Sequence, residues 1–255
     1  MKIIAIARNT AREALRNKVL YSIVAFAALV VCVAALFGSV SIGNQMKFVK
    51  DFSLAAISLF GVVIAVALGV SMLSAELRRR TILNILSKPV GRWQFILGKF
   101  AGLAATVSVV VVLMTAALVA IVAAFEGRFD SGLIVAGTTV VLELVIVVAI
   151  ALFFSAVVVT PTLAGMFTIA AFVAGRSAGY LEYFRGDDSH PAIRGLATVL
   201  YWILPHLNRL DVADQVVYGQ TLGAGTLALA AAYAAAYTAV LLLLSVALFQ
   251  RREFV

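Results

Sequence analysis

The sequence predicts an all-α polytopic membrane protein, and three observations carry that prediction. Of the 255 residues, 64% are hydrophobic and 13% charged, with a mean hydropathy of +1.09. A soluble domain carries about 25% Asp, Glu, Lys and Arg; here too little polar surface exists to cover a globule, so lipid must solvate most of the apolar area. The apolar residues also come in runs long enough to cross about 30 Å of hydrocarbon at about 1.5 Å per helical residue. Finally, the basic residues sit in short blocks at the ends of those runs. That placement sets membrane orientation and excludes nucleic acid as the reason for the net charge of +8.

Residues 2–18 open the chain as an amphipathic helix. At 100° per residue, Ile3, Ile4, Ile6, Ala7, Ala11, Ala14 and Leu15 share one side, and Arg8, Asn9, Arg12, Glu13 and Arg16 the other. Such a helix suits the membrane interface; the alternative is a cytoplasmic extension of the first span. Its charges extend to Lys18, too far for the compact start of a cleaved signal peptide. Six spans are expected at about 19–38, 53–75, 100–125, 133–156, 161–183 and 226–249, within one transmembrane domain covering 1–255. The third to fifth runs are rich in Val and Ile, which favours strands in water. An open strand in lipid would leave backbone groups unpaired, so helix is expected throughout.

Placing the N-terminus in the cytoplasm puts thirteen Lys and Arg on that side and six on the other, so both termini are expected inside. Two connections stand out. The cytoplasmic one covers 76–99. The outer one covers 184–225 and holds "GLATVLYWILPHL", too short to cross and too apolar for a free loop. It reads as a short helix at the outer leaflet that Pro205 would end.

Several chemistries are excluded. The lone Cys32 offers no disulfide or thiolate metal site, and His190 and His206 lie far from it. In "GRWQFILGKF" the first glycine is too distant from Gly98-Lys99 for a phosphate loop, and Phe100 stands where Ser or Thr must meet magnesium. The chain is therefore not expected to be an enzyme or to hold a cofactor. Two ionisable residues fall within expected spans away from their end residues, Glu143 and Arg176, and burying charge in hydrocarbon marks both as candidates. They read either as an interhelical pair or as a polar patch along a path. Small residues at fourfold spacing (Gly61, Ala65 and Gly69; Gly98 and Gly102; Ala228, Ala232 and Ala236) would let helix backbones approach, within one chain or between two.

The cytoplasmic stretch reads "AELRRRTILNILSKPVGRWQFILGKFAG". Leu77, Ile82, Ile85 and Leu86 form an apolar stripe, Pro89 ends that helix, and Gly91 permits a turn before Arg92 and Trp93 start the next. A basic helix–turn–helix knuckle results, better suited to docking another protein than to simple connection.

At this stretch the sequence resembles the permease subunits of the ABC-2 group of bacterial ABC transporters. The matching features are Glu76, the run Arg78–Arg80, Thr81, "ILSKPVGRWQF" and "GKFAG", with Arg80 standing where glycine often precedes the threonine. The layout from the basic N-terminal helix to the closing "FQRREF" is similar too, and "YWILPHLNRLDVADQVVYG" resembles the permeases grouped with copper-enzyme maturation. The resemblance implies a type V exporter-like fold with both termini in the cytoplasm of a bacterium, set in its inner membrane. It implies two such subunits, most simply a homodimer, around a path, and two ATPase subunits binding ATP and magnesium beneath them. The coupling element would comprise Glu76, Arg78, Arg79, Arg80, Thr81, Ser87, Lys88, Pro89 and Arg92. Tyr201, Trp202 and Pro205 would form an outer gate, with room for a periplasmic accessory protein. The competing functions are a secondary carrier, for which the intramembrane charges are few, and a membrane anchor or assembly scaffold that moves nothing.

Overall fold

The computed structural model describes residues 2–38, 45–78, 91–158, 160–184, 191–218 and 223–251, and every regular element among them is a helix. In chain order the longer helices are α1 (Lys2–Leu15), α2 (Lys18–Gly38), α3 (Gln45–Arg78), α4 (Arg92–Glu126), α5 (Ser131–Val157) and α6 (Pro161–Arg176). A 3-10 turn at Ala178–Tyr180 leads to α7 (Leu181–Phe184) and α8 (Pro191–Ile203). A second at Leu207–Arg209 leads to α9 (Ala213–Val217) and α10 (Ala224–Arg251).

The bundle is arranged around α5, the helix whose sequence is apolar all round. Such a helix must be buried in protein or lipid, and here α3, α4, α6 and α10 surround it. Leu144, Ile146, Val147, Val148, Ala149, Ala151 and Leu152 are fully enclosed. The glycine stripe of α3 explains the close approach: a Cβ on Gly61 would lie 2.4 Å from Leu144 Cδ1, and one on Gly69 would lie 2.7 Å from Ala151 Cβ. The stripe predicted from spacing thus serves packing within the chain. The alanine stripe of α10 does not, because Ala228, Ala232 and Ala236 are exposed.

By length and composition, among the described residues, α3, α4, α5 and α10 can each cross a membrane alone. The pair α1 and α2, bent by 61°, adds a fifth if counted as one span. That bend excludes a straight extension of α2 as the reading of α1. Two helix boundaries differ from the expected span bounds. The helix that carries the second expected span, α3, begins at Gln45, ahead of 53, so Lys47 and Lys50 lie on a helix and not in a loop. The fifth stretch, 161–183, is not one helix: α6 stops at Arg176, 16 residues rising about 24 Å, short of a full crossing. The reason is local, since Arg176 is drawn to partners on neighbouring elements and Gly175 packs against the Pro205 backbone.

Both ends of the bundle are tied. At one, Lys50 forms salt bridges of 2.8 Å with Glu126 and with Asp130, joining α3 to the turn between α4 and α5. Asp130 also caps α5 by accepting from the Gly132 N–H, and Gly127 closes α4 in the left-handed conformation at φ 65°. At the other end α1 lies across the start of α4. A Cβ on Gly98 would come within 2.7 Å of Ile6, and one on Gly102 within 2.5 Å of the Ala7 carbonyl oxygen. Thr10 and Ala14 are buried in that seam, while Arg8, Arg12 and Arg16 remain on the exposed side.

Gly102→Leu should therefore displace α1, since the backbone carbonyl facing it cannot yield as a side chain would; overpacking of this kind costs about 1–3 kcal/mol. In a Thr10→Cys background the new thiol should resist a maleimide reagent, and adding Gly102→Leu should make it reactive. Unchanged protection would contradict the seam.

Candidate functional site

Of the residues singled out for coupling, Arg79, Arg80, Thr81, Ser87, Lys88 and Pro89 lie outside the described residues, and Glu76 and Arg78 fall in the last turns of α3. Arg92 is the first residue of α4. Its Nη1 donates to the carbonyl oxygens of Phe249 (3.2 Å) and Gln250 (2.9 Å). Those carbonyls end α10, where helical partners run out and positive charge is favoured. Phe95, one turn into α4, stacks on Phe249 with centroids 6.0 Å apart. Lys99 follows one turn later, 2% exposed, its Nζ 3.7 Å from Glu13 of α1. The start of α4, directly after the cytoplasmic stretch, is thus fixed to both the first and the last helix.

The second cluster lies inside the bundle. Glu143 is about 18 Å along α5 from Ser131, at 1.5 Å per residue, and 2% exposed. Arg176, at the end of α6, donates from Nη1 to Glu143 Oε1 at 3.0 Å and to Ser58 Oγ of α3 at 3.1 Å. Its Nη2 pairs with Asp211. Ser58 in turn donates to Glu143 Oε2 at 3.3 Å. The structure thus brings Glu143 and Arg176 together and adds two partners. The guanidinium fork carries five N–H donors, and here it spans α3, α5 and the segment ahead of α9. Beside it lies a cavity of about 100 Å³ whose polar lining includes Asp51, Ser58, Thr139 and Asp214. Among the described residues no group of three or more His, Cys, Asp or Glu is arranged to hold a metal ion.

The third region covers one end of this cavity. Helix α8 stops at Ile203, two residues before Pro205, and the chain then runs back over the bundle. Leu207 and Leu210 are fully enclosed against Ile146 and Ile150 of α5 and Ala234 of α10. The 2.7 Å separation that a Cβ on Gly175 would have from the Pro205 oxygen explains why that position of α6 is a glycine. Two tyrosines of α10 hold the segment: the His206 N–H donates to Tyr233 Oη at 2.7 Å, and Tyr237 Oη donates to the Ile203 carbonyl at 2.9 Å. Tyr201 is 9% exposed; it donates to Glu182 at 2.9 Å and accepts from Arg209 at 3.2 Å. Trp202, 75% exposed, meets the Tyr201 ring edge-on with centroids 6.1 Å apart.

Asp211, Ser58, Tyr233 and Tyr237 were not identified from the sequence. A signal existed for the tyrosines, which sit four apart on one face of an alanine-rich helix. A second signal was the donor count of Arg176, which one carboxylate cannot satisfy. Nothing in the sequence marks Ser58 among the other serines of the spans.

No curated protein matches the chain. A family model described as an ABC-2 family transporter protein matches residues 4–254. With nearly every residue covered, and with several helices long and apolar enough to cross a membrane, the chain belongs to the ABC-2 family of transporter proteins and is a membrane subunit of an ABC transporter.

Proposed function

We propose that this chain is the permease of an exporter in a bacterial inner membrane, converting ATP hydrolysis in a partner into movement of its outer segment. One observation carries the reading: α4 is a single 35-residue helix that begins directly after the cytoplasmic stretch, with Arg92 bonded to the end of α10. At about 1.5 Å per residue it rises about 52 Å, against about 30 Å of hydrocarbon. Its first turns therefore form a lever beyond the membrane core. A push on 76–99 would move α1, α4 and α10 together, because Gly98, Gly102 and Arg92 join them. The chain crosses six times as one transmembrane domain, both termini in the cytoplasm, with α6 and the segment after it completing the fifth crossing. Two ATPase subunits bind ATP and magnesium below a homodimer, and the exposed alanine stripe of α10 is open to the second copy. A periplasmic accessory protein would meet the segment around α8.

On the outer side, the segment 204–212 acts as the gate, with Tyr201 and Pro205 anchoring it and Arg176 as its latch. Leu207 and Leu210 fill the bundle's end, and Asp211 is held by the same guanidinium that neutralises Glu143. Opening the segment would release Asp211 while Glu143 keeps its partner, so no charge is stranded in the bundle.

Purification from the native host tests the first part. An ATP-hydrolysing subunit should accompany the chain, and hydrolysis should depend on the assembled complex. Arg92→Leu should lower the complex's stability by about 1–2 kcal/mol, the net worth of hydrogen bonds to a charged donor in partly exposed surroundings, and sever hydrolysis from transport. Recovery without any nucleotide-binding partner, together with transport that follows an ion gradient, would defeat the reading.

The latch predicts a non-additive series. Arg176→Leu leaves a buried carboxylate unpaired and should destabilise the fold by a few kcal/mol, about 3 at most given the arginine's partial exposure. Adding Glu143→Leu should restore most of that loss in thermal unfolding. Asp211→Asn should leave stability nearly intact and increase reagent access to a cysteine placed at Thr139. If Arg176→Leu and Glu143→Leu add independently, Arg176 does not neutralise Glu143; if Asp211→Asn leaves access to that cysteine unchanged, Asp211 and Arg176 do not form the latch.

A further inference from the structure

We propose that α1 binds an anionic phospholipid, holding its phosphate on Arg8, Arg12 and Arg16 at the membrane surface where α4 begins. The helix presents three sides. Ile6, Thr10 and Ala14 lie in the glycine seam on α4. At about 100° per residue, Ile4, Ala11 and Leu15 come next around the helix, and the three arginines follow directly after them. Ile4 and Leu15 are 72% and 43% exposed, and all three arginines are exposed as well. An apolar strip and a cationic strip therefore run side by side, both turned away from α4.

The bend between α1 and α2 sets the depth. Helix α1 is inclined by 61° to α2, the apolar helix it leads into. Its 14 residues make about 21 Å of helix, which rises only about 10 Å along the direction of α2. That matches an interfacial helix, whose apolar face sits about 5–10 Å into the boundary between headgroups and acyl chains. The exposed apolar surface continues onto the first turn of α2 through Val19 and Tyr21, and tyrosine favours the level of the headgroups.

The charge here does not cancel. Residues 2–18 carry Lys2, Arg8, Arg12, Arg16 and Lys18 against a single acid, Glu13, and Lys99 of α4 engages that acid at 3.7 Å. Arg8, Arg12, Arg16 and Lys18 make no ion pair among the described residues. Arg12 and Arg16 line a hollow together with Asn9, Glu13 and Asn17. The Asn17 side-chain oxygen accepts from the Val19 N–H at 3.0 Å, which leaves its amide N–H groups for an acceptor. A phosphate supplies acceptors to guanidinium groups, and the acyl chains of the same molecule cover Ile4 and Leu15. An acidic protein surface would answer the arginines and leave the apolar strip beside them unmatched.

A full chain carrying Trp93→Phe, Trp202→Phe and Leu15→Trp provides the test, because acyl chains bearing bromine quench tryptophan on contact. All three positions are exposed, so the reporter chain keeps the fold. In phosphatidylcholine vesicles, brominated phosphatidylglycerol should quench the introduced tryptophan more strongly than brominated phosphatidylcholine at the same mole fraction. Arg12→Gln should lower that preference about fivefold, as the loss of about 1 kcal/mol of attraction to an anionic headgroup gives. Arg128→Gln, at the other end of the bundle, should leave it unchanged. Equal quenching by the two lipids, or an unchanged preference in Arg12→Gln, overturns the proposal. So does quenching that disappears once the chain is assembled with the subunits that co-purify with it, which would give this face to a protein.

Discussion

A carboxylate enclosed deep in an apolar bundle calls for a cation, and among the described residues Glu143 pairs with Arg176. An isolated charge in such surroundings costs several kcal/mol even after relaxation. That demand explains features which otherwise look unrelated. Helix α6 stops short of a full crossing so that its last residue reaches Glu143 Oε1 at 3.0 Å. Ser58 faces inward from α3 because the remaining carboxylate oxygen and the guanidinium both need a partner. Asp211 is drawn down from the outer segment to the same arginine, and Leu207 and Leu210 follow it into contact with α5 and α10. One buried charge thus organises four segments of the chain.

The opposite end is organised by shape instead. Glycines at 98 and 102 let α1 lie against α4 at backbone distance, and without a hydrophobic driving force in lipid this close packing is what holds helices together. Arg92 then joins α4 to α10 through carbonyls that would otherwise face the membrane boundary unpaired. The two ends therefore differ in how they can move. The α1–α4–α10 junction is held by close packing and by Arg92, whereas the Arg176 cluster is a set of directional bonds beside a cavity of about 100 Å³. Water in such a space can replace individual hydrogen bonds at little cost. That difference between the two ends is what the proposed coupling needs: a close-packed input and an exchangeable output.

Much of this order was legible in the sequence where it depended on composition or spacing. Helical class followed from apolar run length, and the packing face of α3 followed from Gly61 and Gly69. The depth of Glu143 and Arg176 suggested their pairing. What was not legible depended on folding back. The start of α3 at Gln45 was hidden because Lys47, Lys50 and Asp51 read as loop residues; only the position of Glu126 and Asp130 shows that Lys50 is neutralised on a helix. The end of α6 at Arg176 was hidden because the residues after it, "SAGYLEYF", remain apolar enough to continue a span. Asp211 sat among loop residues with no periodicity to assign it a partner.

The same contrast bears on how the outer segment can move without exposing the core to lipid. Tyr233 and Tyr237 hold it through the backbone at His206 and Ile203, while Arg176 holds it through a side chain, Asp211. Bonds to backbone atoms on both sides of Pro205 fix a pivot, because proline restricts the rotation available there. Bonds to Asp211, six residues further on, restrain the free arm of that pivot. In the proposed gating, releasing the arm would uncover the polar cavity, and keeping the pivot would preserve the contact of Gly175 with Pro205. The proline that follows α8 therefore has a second consequence for that gating: it would separate the part of the segment that stays from the part that swings.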